Sequence, residues 1–205
     1  RQSKPRATGL TVMIDNGYSL KFYEDVVASH HSLIDFIKFG WGTALITPMI
    51  REKIAIARAH DIDVFMGGTL FEKSAVQNKV PEYASYLNQL GVTWLEVSNG
   101  TIDIDNTKKA EYIRQLAGDF NVFSEVGFKD SERSLELYPA QWVEYIQQDF
   151  AAGSKWVITE ARESGTSGIC RADGEIRFGL INEIANSGID IDKMIFEAPN
   201  KNLQK

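Results

Sequence analysis

Short apolar runs recur along the chain and alternate with longer amphipathic stretches. The seven runs are LTVMID (10–15), LIDFIKFG (33–40), IDVFMGG (62–68), WLEVSNG (94–100), VFSEVG (122–127), WVITEA (156–161) and MIFEAP (194–199). They are too short for typical helices and are rich in Val, Ile and Phe, which favours buried strands.

The stretches between these runs have helical periodicity and the punctuation expected at helix ends. Ser19 is a candidate N-cap, Pro48 stands near a first turn, and Gly91 follows the last residue of a helical pattern. The predicted helices cover residues 19–31, 48–60, 78–91, 106–119, 138–153 and 176–188.

Strands that alternate with helices predict βαβ units and a parallel sheet in an α/β protein. Such a sheet can stay open and doubly wound, or it can close into a (β/α)8 TIM-type barrel. Only seven strands are predicted, so we interpret residues 1–205 as a single catalytic barrel domain that lacks its eighth strand. The open sheet is the alternative.

Composition and charge exclude some classes of binding partner and cellular location. The net charge of −6 disfavours general binding to nucleic acid or to anionic membranes. A lone cysteine, Cys170, fits a reducing compartment. No apolar run is long enough to span a bilayer, and RQSKPRATGL at the start lacks a secretory signal. We therefore expect a soluble cytoplasmic protein with no membrane partner.

Charged or polar residues stand at the end of nearly every predicted strand. The residues at these strand ends are Asp15, Lys38, Gly67 to Thr69, Glu96 with Ser98, Glu125 with Lys129, Glu160 with Arg162, and Glu197. One such charge often only marks where solvent begins, but the carboxyl ends of parallel strands meet at one edge, where ligands bind. Carboxylates that converge repel one another unless a cation lies among them, and oxygen ligands favour Mg²⁺.

Other residue types are less informative. The sequences GGT (67–69) and SGTSG (164–168) can direct backbone N–H groups at an anion, or they can be simple turns. The histidines, His30, His31 and His60, precede predicted strands and are expected at the opposite edge of the sheet. This placement disfavours a zinc site or a Ser-His-Asp triad.

Seven ordered motifs resemble the phosphosulfolactate synthase family. They are KPRATGLTVMIDNG, IDFIKFGWGT, GGTLFE, EVSNGTIDI, SEVGFKD, ITEARESG and IFEAPNK, and the resemblance runs from about Lys4 to Gln204. It implies a (β/α)8 barrel and Mg²⁺ dependence. It also implies addition of sulfite to phosphoenolpyruvate, which gives phosphosulfolactate and starts one route to coenzyme M.

This implied chemistry suggests a role for each charge. Glu125 and Glu160 are the first candidates for metal ligands, with Glu96 third, because carboxylates could hold the Mg²⁺ that neutralises an enediolate. Lys129 is the predicted proton donor to C2 of the substrate, and Lys38 is the reserve.

Anion binding is assigned to residues on the same edge. Arg162 suits a bidentate hold on phosphate, carboxylate or sulfite. Lys201 is expected to contact phosphate, because barrel phosphate sites favour the late βα loops. Ser98, Gly68 and Thr69 are further predicted substrate contacts. Asp15 and Glu197 are expected to orient the cations or to bind metal through water.

Two other functions remain open at this stage. One is an enolase-like or aldolase-like metal-dependent lyase that acts on another phosphorylated substrate. The other is a non-catalytic, stress-associated relative that keeps the barrel and its charged rim. A homo-oligomer is compatible with either function, because barrels commonly associate.

Overall fold

The computed structural model describes residues 2–204. Contacts divide the chain into two compact units, Arg1–Glu96 and Val97–Lys205. Each unit combines parallel strands with helices. That the chain forms one catalytic domain stays a prediction.

The described part of the first unit contains four strands in chain order and four α-helices. Its elements are β1 (Val12–Asp15), α1 (Leu20–His30), β2 (Phe36–Phe39), α2 (Ile50–Ala59), β3 (Asp63–Met66), α3 (Gly68–Val76), α4 (Val80–Leu90) and β4 (Trp94–Val97), whose last residue lies beyond the boundary. Asp15 pairs with Phe39, and Phe39 with Met66, so the strands end close to one another. The carboxyl ends of this sheet therefore bring strand-end side chains together.

The second unit continues the alternation. Its elements are α5 (Asn106–Leu116), β5 (Asn121–Val126), α6 (Ser131–Glu136), α7 (Pro139–Ala152), β6 (Trp156–Thr159), α8 (Phe178–Asn186) and β7 (Met194–Phe196). Val126 pairs with Thr159, and Thr159 with Phe196, so these three strands also end in register. Trp142 and Ile146 of α7 are fully buried in the core together with Val157 of β6.

These features confirm the predicted α/β class. Within each unit the strands are parallel and neighbours in the sheet are neighbours in the chain, which is the strand order of a TIM-type barrel. All seven predicted strands are present, and residues 2–204 contain no eighth. The alternative of a doubly wound sheet requires the strand order to reverse, which neither unit shows.

The predicted helices are also present, with Ser19 as the N-cap of α1; its hydroxyl accepts a hydrogen bond from the Phe22 N–H. Two helices were not predicted, α3 and α6. The GGT sequence is not a loop, because Gly67 caps α3 and Gly68 is its first residue. None of the helices described in residues 2–204 is both long enough and apolar enough to cross a membrane.

Candidate active site

Three glutamates converge at the carboxyl ends of the strands in the second unit. Glu125 lies near the end of β5, while Glu160 and Glu197 directly follow β6 and β7. Each offers a carboxylate oxygen, and these atoms lie within 4.8 Å of one another. Register explains the convergence, because the Glu160 N–H donates to the Val126 carbonyl and the Glu197 N–H donates to that of Thr159. We call these three residues the glutamate cluster.

The cluster concentrates negative charge in a nearly dry environment. Glu125 and Glu160 are each 1% exposed, and Glu197 is half-buried. Burial, followed by the carboxylates of Glu125 and Glu197, raises the pKa of Glu160 well above its usual range. The ammonium of Lys129 opposes this rise. Without a cation, the cluster therefore favours a proton on Glu160.

Backbone groups fix the direction of two of these carboxylates. The Arg162 N–H donates to Oε1 of Glu160, and the Ala161 N–H donates to Oε2 of Glu197 at 3.1 Å. Arg162 adopts a left-handed backbone with φ of 55°. Such a conformation is costly for a residue other than glycine and is often found at functional sites.

The glutamate cluster fits a hard divalent cation. All three donors are carboxylate oxygens, which are the ligands that Mg²⁺ prefers. The Oε2 atom of Glu160 is buried and accepts no hydrogen bond from the residues described. Glu125, Glu160 and Glu197 could therefore hold the ion.

Two glycines allow the chain to pack closely around Glu160. A Cβ on Gly127 would lie 2.6 Å from the Trp142 ring and 2.8 Å from Cβ of Glu160. A Cβ on Gly168 would overlap the carbonyl oxygen of Glu160. Both glycines have positive φ, so neither position readily accepts another residue.

Two predicted cationic residues lie beside the cluster. Nζ of Lys129 is 4.0 Å from Oε2 of Glu160, and the Lys129 side chain is 22% exposed. The side chain of Arg162 reaches back so that Nη1 donates to the main-chain carbonyl of Lys129 at 3.2 Å. An ammonium, a guanidinium and three carboxylates thus share one end of the second unit.

The first unit has a separate charged group around Glu96. Oε2 of Glu96 pairs with Nζ of Lys38 at 2.8 Å, and Oε1 accepts the Gly68 N–H at 2.8 Å. Glu96 is fully buried and Lys38 nearly so, while Thr69 is half-buried in the first turn of α3. The GGT sequence does direct an N–H group at an anion, and that anion is a carboxylate of the protein.

Asp15 is held by another buried ion pair of this unit. Its Oδ2 lies 2.6 Å from Nζ of Lys53, and Oδ1 accepts the N–H groups of Gly17 and Tyr18. Both side chains of the pair are almost completely buried. The contacts described for Asp15 therefore organise the turn between β1 and α1.

The remaining predicted residues lie in different surroundings. Ser98 is fully buried just after β4, and Lys201 is exposed in the turn after β7. The ring centroids of His31 and His60 lie 4.7 Å apart, with the rings tilted by 35°. These residues precede β2 and β3, at the ends of the strands away from Lys38 and the Glu96 group. The structure places the histidines at the amino ends of strands, as the sequence predicted.

Sequence reasoning gave Glu197 only an orienting or water-mediated role, whereas the structure places it within the cluster. The signal was available, because Glu197 follows β7 exactly as Glu160 follows β6. Lys109 and Asp149, which form a buried ion pair behind β5, carried no such signal and were missed.

Comparison with known proteins assigns the chain to a family. The family model for (2R)-phospho-3-sulfolactate synthase matches residues 1–205. The chain belongs to the phosphosulfolactate synthase family. It is 50% identical over its full length to a phosphosulfolactate synthase from Bacillus subtilis (strain 168), of which it covers 81%. It is 38% identical to a phosphosulfolactate synthase from Methanothermobacter thermautotrophicus, again over its full length and 80% of that protein.

Membership of the phosphosulfolactate synthase family identifies the chain as an enzyme. Solved structures add support for the fold. The YdjI aldolase from Escherichia coli K12 matches 94% of the chain, with 75% of its own length covered, a TM-score of 0.56 and 13% identity. A 3-hexulose-6-phosphate synthase matches 92%, with 89% of its own length covered, a TM-score of 0.52 and 16% identity. At such identities the similarity is evidence for fold alone.

Proposed function

We propose that the enzyme catalyses the Mg²⁺-dependent addition of sulfite to phosphoenolpyruvate, which yields (2R)-phospho-3-sulfolactate. The glutamate cluster carries this proposal, because its three carboxylate oxygens lie within 4.8 Å of one another with Lys129 beside them. Family membership supports the same product.

The reaction forms one carbon–sulfur bond and one carbon–hydrogen bond. The sulfur lone pair of sulfite attacks C3 of phosphoenolpyruvate, and the electrons of the C2–C3 double bond move toward the carboxylate to give an enediolate. A proton then adds to C2. Glu125, Glu160 and Glu197 would hold the Mg²⁺, which when bound would supply positive charge to stabilise the doubly negative carboxylate that develops during attack.

Lys129 is the proposed proton donor to C2. Its ammonium lies 4.0 Å from Glu160, at the edge of the glutamate cluster, and is partly open to solvent. Solvent or bisulfite can therefore return a proton after each turnover. Lys38, which is paired with Glu96, remains the reserve donor.

The anionic groups of the substrates require cationic partners. Arg162 is proposed to bind phosphate, carboxylate or sulfite, because its guanidinium is exposed next to the glutamate cluster and has donors beyond the one directed at Lys129. Lys201 is proposed to contact phosphate. For Ser98, Gly68 and Thr69 substrate contact stays a prediction, as does ligation by Glu96 and the catalytic role of Asp15.

A product assay tests the function. Purified enzyme is incubated with phosphoenolpyruvate, sulfite and Mg²⁺, and phosphosulfolactate is detected by mass spectrometry and ³¹P NMR. We expect product with Mg²⁺ and none after chelation with EDTA. A folded sample that forms no product with all three components would refute the synthase activity, and undiminished product in EDTA would refute the metal dependence.

A further inference from the structure

A buried ion pair lies directly behind the strand that carries Glu125. Nζ of Lys109, on α5, is 2.7 Å from Oδ2 of Asp149, on α7, and both side chains are completely buried. The same ammonium donates to the main-chain carbonyl oxygen of Glu125 at 3.0 Å. One lysine thus connects α7 to the backbone of a residue in the glutamate cluster.

Further polar contacts hold the acidic member of this pair. Asn106 is buried at the start of α5, and its amide lies 3.5 Å from Oδ1 of Asp149 and donates to Oε1 of Gln148 at 2.8 Å. The pair is therefore oriented from both helices. Its ammonium contacts Asp149 and the Glu125 carbonyl at the same time.

Stability alone gives a poor reason for such a pair in the core. Removing two charges from water costs free energy that their attraction often fails to recover, so well-packed apolar side chains usually stabilise a core at least as well. An apolar pair could not, however, donate to the Glu125 carbonyl. The distinctive contribution of Lys109 is this hydrogen bond to the main chain.

We propose that Lys109 and Asp149 are positioning residues that hold the Glu125 carboxylate in the geometry required to bind the divalent cation. The inference rests on the proposed function, since it assigns Glu125 to the metal. Residues that orient metal ligands typically change metal affinity by about 10- to 100-fold when they are replaced.

The test replaces both charges at once, so that neither is left buried and unpaired. Lys109→Met with Asp149→Leu preserves the approximate volume and shape of the two side chains. The matched control is Lys108→Met with Glu111→Met, which removes the exposed ion pair formed by the neighbouring lysine on the same helix. Thermal unfolding of both variants is measured in EDTA.

We expect the core variant to unfold within a few degrees of the parent enzyme but to bind Mg²⁺ about 10- to 100-fold more weakly by calorimetry. Its turnover should recover as Mg²⁺ is raised, whereas a general packing defect would not respond to the ion. The control should match the parent. A stable core variant with parental Mg²⁺ affinity would overturn the inference.

A second readout separates this inference from the proposed function. Amide hydrogen exchange in the peptide covering Asn121–Val126 should increase in the metal-free core variant and not in the control. If the parent enzyme binds no Mg²⁺, the proposed function fails, and unchanged exchange would still overturn the positioning role. If the core variant does not fold, Lys109→Arg is compared with Lys109→Met. Lys109→Arg retains the charge and the donors, so its amide exchange and Mg²⁺ affinity should stay closer to those of the parent enzyme. If they do not, the inference fails.

Discussion

At the scale of single residues, the glutamate cluster and Lys129 are proposed to have separable tasks. The carboxylates of Glu125, Glu160 and Glu197 converge within 4.8 Å, which suits cation binding, while Lys129 stands 4.0 Å from Glu160. An ammonium at that distance can deliver a proton without ligating the metal. Metal binding and proton transfer should therefore respond to different substitutions.

Replacement of the proposed proton donor tests this division. Lys129→Ala should reduce kcat by about 10²- to 10⁴-fold, the usual contribution of a general acid, and leave Mg²⁺ affinity nearly unchanged. Lys155→Ala, at an exposed lysine before β6, serves as the control. Steady-state kinetics and calorimetry measure the two effects. Full activity in Lys129→Ala would transfer the role to another donor, with Lys38 the next to test.

The raised pKa of Glu160 predicts how stability depends on pH. Between the ordinary pKa and the raised one, the folded metal-free enzyme binds more protons than the unfolded chain, so its unfolding free energy falls as pH rises. Mg²⁺ bound at the proposed site would replace that proton, and its affinity should therefore increase over the same range. Thermal unfolding across a pH series, in EDTA and in Mg²⁺, measures both trends.

The variant Glu160→Gln provides the comparison for this pH dependence. It should flatten the decline of stability in EDTA, because the amide does not titrate, whereas Glu132→Gln, at an exposed position of α6, should leave it intact. A decline that is equally steep in Glu160→Gln would show that another group is responsible.

At the scale of elements, the backbone conformation of the segment after β6 depends on Gly168. Gly168 has φ of 63° and lies so close to the Glu160 carbonyl that no side chain fits. The Ile169 N–H donates to this same carbonyl, and the Ser167 hydroxyl donates to that of Phe128. These hydrogen bonds tie the segment after Glu160 to the main chain of Glu160 and Phe128, and they hold Glu160 in position.

Gly168→Ala should therefore destabilise the enzyme by about 3 kcal/mol or more, because left-handed strain and steric overlap act together. Gly179→Ala is the control, since Gly179 lies exposed in α8 with open space around it and should tolerate or slightly favour alanine. Chemical denaturation measures both variants. Equal stability of the two variants would contradict the close packing at Gly168.

At the scale of the whole molecule, the sequence predicted the alternation of strands and helices and much of the candidate site. Apolar runs with clear ends located every strand, and strand-end acids located Glu125 and Glu160. Helix α3 was not predicted because its two leading glycines resemble a turn. The sequence does not show that the Glu96 carboxylate accepts the Gly68 N–H. Long-range pairing of this kind leaves no local pattern.

The buried lysines illustrate the same limit. Lys108 and Lys109 are adjacent letters in one helical pattern, yet the side chain of the first is 51% exposed and that of the second is completely buried. Helical periodicity indicates that the two side chains point in different directions. It does not reveal that Asp149 on α7 lies close to Lys109. Only the packing of α5 against α7 distinguishes a solvated lysine from one that contacts the Glu125 backbone.

Crystallography would show directly whether the glutamate cluster binds the proposed metal ion. Crystals grown with Mn²⁺, a stand-in for Mg²⁺ with an anomalous signal, should show one strong peak within ligand distance of Glu125, Glu160 and Glu197. The peak should vanish in Glu160→Gln. A fully occupied ion elsewhere, with these carboxylates left metal-free, would refute metal binding by the glutamate cluster.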